Sequence, residues 1–193
     1  MVNKITIYSA LIPFLSRPAE WIHLAELSRE LRIPHPTLRQ WLSSFESEGV
    51  LKRETKGRLA LYTLNAENNG ILKYLALAEQ DKLIQKCRKS LFLNHVVGAA
   101  QRQAESGIII IFGSFAVNPE KAGDIDVIVT EKKDVPVLKK IAGFANKELH
   151  GLVIPDLTEI SSALKGEIIK KHLILKGTES VLRWMLWQQS NGV

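Results

Sequence analysis

Cysteine is almost missing from this chain: Cys87 is the only one in 193 residues, which excludes a disulfide framework and a thiolate metal site. No apolar stretch is long enough to span a bilayer as a helix. The segment from Thr6 to Leu15 is apolar, but Pro13 interrupts it and no small-residue cleavage site follows, so a secretory leader is not expected. Internal repeats and low-complexity tracts are absent too. Charged residues make up an ordinary 24% of the chain. These absences leave a soluble globular protein with no membrane partner, and a reducing cytoplasm is the expected compartment. Its length suits one domain of ordinary size or two small ones, with a proper core.

What is present is a modest basic excess, +6 at neutral pH with a pI near 9.4, which suggests a polyanionic partner. The excess is uneven. Residues 1–64 hold nine Lys/Arg against six Asp/Glu, whereas residues 107–193 hold eleven against ten.

The most informative stretch runs from Ile108 to Val129. Ile108-Ile109-Ile110-Ile111-Phe112 is a short β-branched run ending at Gly113-Ser114, and Ile125 and Val127-Ile128-Val129 form a second run that opens on Asp124 and Asp126. Both runs are too short for a buried helix and are bounded by turn residues, so both are expected to be buried strands. Side chains alternate along a strand, so Asp124 and Asp126 share a face with Cα atoms about 6.5 Å apart. Two carboxylates that close repel unless a hard cation lies between them. Alone, Gly-Ser reads as a strand-end turn and Asp-x-Asp as a solvated strand edge. Joined at this spacing, they point to a cation site.

Strand, Gly113-Ser114, the spacer Phe115 to Gly123 and Asp124-Ile125-Asp126 together resemble the polymerase-β-like nucleotidyltransferase superfamily. Ser114-Phe115-Ala116 fits the common Ser-x-Ala, while Asn118 stands where many members have Gly, and Gly123 where many have Ser. The later Glu-Ile-Ile-x-x-His-x-Ile-Leu-x-Gly, at residues 167–177, resembles the tail of compact single-domain members. The resemblance implies transfer of a nucleoside monophosphate from a triphosphate, ATP by default, to an acceptor. Asp124 and Asp126 would hold Mg²⁺ (or Mn²⁺), and Gly113 and Ser114 would bind the nucleotide through backbone and hydroxyl donors. Active members carry a third carboxylate on a later strand. Here that strand reads Lys147-Glu148-Leu149-His150-Gly151-Leu152-Val153-Ile154, and the expected acid falls on His150. Glu148 shares the strand face and is the residue expected to complete the catalytic set, whereas Asp156 lies beyond the strand end.

The N-terminal third has a different pattern. A helix is expected over residues 3–16, a short strand at 20–24 and a second helix over Ala25 to Leu31. After a turn at residues 33–36, a third helix carries Leu38, Trp41, Leu42 and Phe45 on one face. Pro36 suits its first position, and Thr37 with Gln40 has capping-box spacing. Gly49 should end it. Strands over Leu51 to Glu54 and Leu59 to Leu64 then flank Thr55 to Arg58. This order resembles the winged helix-turn-helix of small regulators, over about residues 3–65. It implies duplex DNA as partner, with His35, Arg39, Gln40 and Ser43 facing the major groove. Lys52, Arg53, Lys56 and Arg58 would lie near phosphates. A protein-interaction winged helix with a solvated charged face is the competing expectation.

The whole is thus expected to be α+β: a winged helix at 1–65, a helical linker at 66–106 and a nucleotidyltransferase-like mixed sheet flanked by helices at 107–193. Within the linker, helices are expected over Ile71 to Leu83 and Leu91 to Ala104, with Leu91, Val96, Val97 and Ala100 packed on the following strands. His95 has a structural place among them, and Lys82, Lys86, Arg88 and Lys89 are expected to form a solvated face, with contact to DNA as the alternative. Further helices are expected over Val137 to Asn146, Glu159 to Lys171 and Glu179 to Gln189. The last is apolar nearly all round, so it must be buried in this chain, in a second copy or in a partner protein. Three functional readings follow. The first is a DNA-tethered nucleotidyltransferase. The second is a DNA-binding regulator whose transferase-like part only senses nucleotide, and the third an antitoxin-like enzyme that adenylylates a protein.

Overall fold

The computed structural model describes residues 5–102 and 107–187. The chain forms two compact units, residues 1–82 and 83–193. Both α and β structure occur in each.

In the first unit a 3-10 turn, Ile7–Leu11, runs into α1 (Ile12–Ser16). Of the helix expected over residues 3–16, Ile5 and Thr6 are not helical and the helical part runs from Ile7; Asn3 and Lys4 lie outside the described residues. A two-residue strand β1 (Ile22–His23) precedes α2 (Leu24–Leu31), whose first turn is capped by His23 Nδ1, which accepts from the Ala25 N–H at 3.0 Å. The next helix, α3, spans His35–Ser47. It buries Leu38, Leu42 and Phe45, three of the four residues expected on its inner face. The capping box does not form: the chain enters the helix from Pro34, so Thr37 lies inside the first turn and no side chain caps it. Gly49, at φ +69°, lets the chain leave the helix in the left-handed conformation that a residue with a Cβ resists.

A hairpin follows. β2 (Leu51–Lys56) pairs with β3 (Leu59–Leu64) down to Lys56–Leu59, so β3 has the expected bounds while β2 runs two residues further than expected and leaves only Gly57 and Arg58 in the turn. Gly57 has φ +61°, the backbone that two-residue hairpins require. β1 adds to the other side of β3, giving an antiparallel sheet in the order β1-β3-β2. Beneath it Phe14, Ile22, Leu27, Leu38, Phe45 and Tyr62 are fully buried.

α4 (Ile71–Cys87) and α5 (Leu91–Arg102) occupy most of the segment read as a linker. The division between the units falls within α4, and α5 belongs to the second. Leu93, Val96, Val97 and Ala100 of α5 join the second unit's core. Leu91 does not: it sits at the helix start and is 79% exposed. His95 is also exposed, on the opposite side from the packed residues. Residues 103 and 104, expected at the helix end, lie outside the described residues. The basic stretch is not a uniformly solvated face either. Lys82 pairs with buried Glu79 at 2.7 Å, and the Lys86 ammonium donates to the carbonyls of Ala116 and Val117 at 2.9 and 2.6 Å.

The second unit is built on a mixed four-stranded sheet flanked by helices. Its strands are β4 (Ile109–Phe112), β5 (Asp124–Val129), β6 (Glu148–Val153) and β7 (His172–Lys176), in the order β6-β5-β4-β7. β4 is antiparallel to both neighbours, while β5 and β6 are parallel and joined by α7 (Asp134–Phe144). Alternation divides the β-branched residues between two faces. Ile109, Ile111, Val127, Val129, Leu173 and Leu175 form one core with α5 and with Leu138 and Ala142 of α7. Ile110, Ile128 and Ile174 are buried on the other face. Between β6 and β7 lie a 3-10 turn (Leu157–Glu159) and α8 (Ser162–Lys170), so the helix expected from Glu159 starts three residues late. Asp156 caps the 3-10 turn by accepting the Thr158 N–H at 2.8 Å, which holds its carboxyl below the usual range.

The last helix, α9 (Thr178–Trp187), buries Val181, Leu182, Trp184 and Met185. It packs on β7 and on the 3-10 turn, so its apolar face is covered within its own unit. Residues 188 and 189 lie outside the described residues. No helix among the described residues is long and apolar enough to cross a membrane.

Candidate functional site

Four residues at one end of the second sheet define the site. Sheet pairing sets Asp126 between Phe112 of β4 and His150 of β6, and Asp124 beside Glu148. The two aspartates share a face, as their spacing requires, and His150 joins them there. Its Nδ1 lies 3.4 Å from Asp126 Oδ1 and 3.7 Å from Asp124 Oδ2. One ligand atom from each of Asp124, Asp126 and His150 can be chosen so that all three lie within 4.8 Å of one another. Glu148 is not part of that group. Its carboxylate stands on the outer side of the imidazole, 3.6 Å from Nε2, and its side chain is 79% exposed.

Gly113-Ser114 does not form a simple corner. The pair opens a short helix, α6 (Gly113–Val117), inside the spacer. Gly113 has φ +71°, and a Cβ built on it would lie 2.9 Å from Asp126 Oδ2. The glycine thus serves the site in two ways: it adopts the left-handed turn out of β4, and it leaves room for the Asp126 carboxylate. Its own N–H donates to the Lys171 carbonyl at 3.1 Å. It is therefore engaged in the sheet, which leaves Ser114 as the exposed donor of the pair. The Ser114 hydroxyl reaches Asp124 Oδ1 at 3.4 Å.

Two lysines hold the spacer in place, and nothing in the sequence pattern singled them out. Lys86 binds its first part at Ala116 and Val117, and Lys147 donates to the Ala122 carbonyl just before Gly123-Asp124. Lys147 also lies over the rings of Phe92 and Phe115, 5.9 and 6.0 Å from their centroids. Both ammonium groups donate to backbone carbonyls of the spacer. A lysine at a helix or strand end carries no sequence mark of that role.

The donors suit a divalent cation. Two carboxylates offer hard anionic oxygens, the left-handed glycine clears space beside one of them, and all three side chains are partly exposed. Incoming ligands can therefore complete a coordination shell.

On the first unit, all eight residues expected to meet DNA are exposed. His35, Arg39, Gln40 and Ser43 lie on α3 away from its buried residues. Lys52, Arg53, Lys56 and Arg58 lie along the hairpin. Lys52 pairs with Glu67 at 3.1 Å, Arg53 with Glu46 at 3.8 Å and Lys56 with Glu54 at 3.7 Å. Arg39 and Arg58 make no ion pair among the described residues. Exposed pairs of this kind contribute about 0–1 kcal/mol each, so their lysines and arginines exchange partners readily.

Compared with protein-family models, with curated proteins and with solved structures, the chain has no match.

Proposed function

We propose that the second unit binds a nucleoside triphosphate with a divalent cation and transfers its nucleoside monophosphate to an acceptor, and that the first unit binds duplex DNA. The observation that carries the first part is the convergence of Gly113, Ser114, Asp124 and Asp126, with Gly113 lacking the Cβ that would strike the Asp126 carboxylate. When bound, the cation would offset the negative charge of the triphosphate and of the in-line transition state. Asp124 and Asp126 would hold it and thereby fix the reacting phosphate relative to the sheet end. Ser114 has a single hydroxyl hydrogen, now directed at Asp124; it would turn this from the carboxylate to a phosphate oxygen when nucleotide binds. Lys86 and Lys147 would keep the spacer, and with it the two aspartates, at a constant distance from Ser114.

A specific observation favours a second reading, in which nucleotide is sensed and not turned over. His150 holds the position across from Asp126, where the resemblance calls for an acid, and the exposed Glu148 is not among the donors grouped with the two aspartates. A general base must come within hydrogen-bond reach of the proton it removes, and Glu148 is the remaining carboxylate of that strand.

For the first unit, the supporting observation is the pairing of an exposed polar face on α3 with an exposed basic hairpin. Phosphate contacts from a hairpin fix register while a helix reads base edges. The protein-adenylylating reading differs only in acceptor. Incubation with each α-labelled triphosphate and Mg²⁺ or Mn²⁺, with and without protein or nucleic-acid acceptors, separates these outcomes. Transferred label supports the enzyme. Retained nucleotide without transfer supports the sensor, and neither result in any combination overturns the proposal for this unit.

A further inference from the structure

We propose that His150 is a metal ligand, and that it makes this a three-donor site selecting a borderline divalent cation of the Mn²⁺, Co²⁺ and Zn²⁺ class over Mg²⁺, with Glu148 positioning its imidazole. The inference rests on the metal–nucleotide reading above and deepens it. Mg²⁺ is held through oxygen and gives up water reluctantly, whereas imidazole nitrogen suits Co²⁺ and Zn²⁺ well and Mn²⁺, itself oxygen-preferring, to a lesser degree that still exceeds Mg²⁺.

The geometry supports ligation from three directions. Nδ1 of His150, not Nε2, faces the aspartates, at 3.4 and 3.7 Å. Donors about 2.1 Å from a shared ion stand roughly 3.0 to 3.4 Å apart on an octahedral or tetrahedral edge, so the two edges from His150 are within a few tenths of an ångström of that spacing, in a set whose donors all lie within 4.8 Å of one another. The other ring nitrogen lies 3.6 Å from Glu148 Oε1. A metal-bound imidazole characteristically gives its second N–H to a carboxylate, which fixes tautomer and ring orientation. Glu148, exposed at the start of β6, would then hold the imidazole from its outer nitrogen. Finally, a Cβ at residue 113 would lie 2.9 Å from Asp126 Oδ2 and force that carboxylate to shift.

The consequence is a site able to hold its cation before nucleotide arrives. Two carboxylates alone would depend largely on phosphate oxygens to complete the shell. A third protein donor removes part of that dependence, and its neutral charge leaves the site less anionic than three carboxylates would. Mg²⁺ loses most from that change, because it draws its binding energy from hard anionic oxygen.

The test uses the full chain without nucleotide. Mn²⁺ and Mg²⁺ are titrated separately by calorimetry, and the Mn²⁺ complex is examined by pulsed electron paramagnetic resonance for coupling to imidazole ¹⁴N. One Mn²⁺ per chain is expected, bound about tenfold or more tightly than Mg²⁺, with ¹⁴N coupling present. His150→Ala should lose the coupling and lower Mn²⁺ affinity by about 10–100-fold, and Glu148→Gln should lower it by about tenfold with the coupling kept. His150→Asp should raise Mg²⁺ affinity and erase the preference. Absence of Mn²⁺ binding to the native chain overturns the inference. So does a His150→Ala variant with an unchanged Mn²⁺/Mg²⁺ ratio, or one that binds both ions more tightly, as expected if the histidine itself neutralised the aspartates. Should Asp124→Asn lose Mg²⁺–ATP while His150→Ala keeps the native metal preference, only this inference fails. Should Mn²⁺ bind through His150 while no nucleotide binds at all, only the nucleotide proposal fails.

Discussion

At the scale of single residues the site has an asymmetry that substitutions can expose. Asp124 and Asp126 are partly solvated and repel each other, so neither is needed for the fold. Asp124→Asn and Asp126→Asn are each expected to abolish cation-dependent nucleotide binding while leaving the urea midpoint unchanged or slightly raised. Unchanged Mg²⁺–ATP affinity in both variants would remove the metal assignment. Gly113 is the opposite case, needed by both fold and site. Gly113→Ala puts a Cβ into a φ of +71° and against Asp126 Oδ2. The strained backbone should cost about 1–3 kcal/mol in a urea titration. The displaced carboxylate should weaken Mn²⁺ binding beyond what lost stability explains. An Ala variant with native midpoint and native affinity would show that the turn relaxes freely and that the glycine serves neither purpose.

Among elements, α3 and the hairpin are expected to act together on DNA. Removing Lys52, Arg53, Lys56 and Arg58 should weaken binding to all duplexes and flatten the salt dependence, since each lost phosphate contact takes about 0.9 from the slope. Arg39→Ala should instead change which sequences are preferred. Absence of binding to mixed duplex fragments at low salt would turn the unit into a protein-interaction module. In the second unit, the start of α7 is tied to the end of β7 by a buried charge pair: Asp134 is 1% exposed, its Oδ1 lies 3.8 Å from Lys176 Nζ, and these atoms have no hydrogen-bond partner among the described residues. Breaking it from one side leaves an uncompensated buried charge, so Asp134→Leu or Lys176→Met should each destabilise by about 3–5 kcal/mol. Replacing both should restore most of that loss. A double variant no better than the singles would mean that packing, not charge, dominates there.

Periodicity made these elements legible where burial is one-sided. Ile109 to Ile111, Val127 to Val129 and the 38-42-45 face of α3 fell where strand and helical spacing put them, while Ile108 stays outside β4. What the pattern did not reveal depended on partners distant in sequence. Pro34 preceding α3 displaced the capping box, the exposed Leu91 and His95 reflect which side of α5 meets the sheet, and the lysines on the spacer carbonyls follow from tertiary contact alone. The place of His150 beside the aspartates was also hidden, because a histidine read in isolation on a strand is only a departure from an acid motif. Only the register of β5 against β6 sets its Nδ1 beside both aspartates.

For the whole molecule, the single cysteine offers a reporter on the unit that carries the site. Cys87 packs, partly buried, against the core formed by α5, α7 and the sheet. Burial pushes its thiol above the ordinary value, so less of the reactive thiolate is present at neutral pH than in the unfolded chain. Alkylation of the native protein at neutral pH should accordingly be slow and should proceed mainly through opened states. The same shift has a definite sign in the folding equilibrium. As pH rises above the ordinary thiol value the unfolded chain ionises Cys87 first, so this group's contribution to stability is intact at neutral pH and falls away in alkali. Ligand binding works in the other direction: a ligand at 100 times its dissociation constant, bound only by the native state, adds about 2.7 kcal/mol. Mn²⁺ with a non-hydrolysable nucleotide should therefore slow Cys87 alkylation in moderate urea by about 100-fold, if alkylation follows opening of the second unit. Asp126→Asn should show no such protection at the same concentrations, because its site cannot hold the cation. Equal protection of the native chain and the Asp126 variant would place the ligand elsewhere on the molecule and separate the stability of this unit from the chemistry proposed for it.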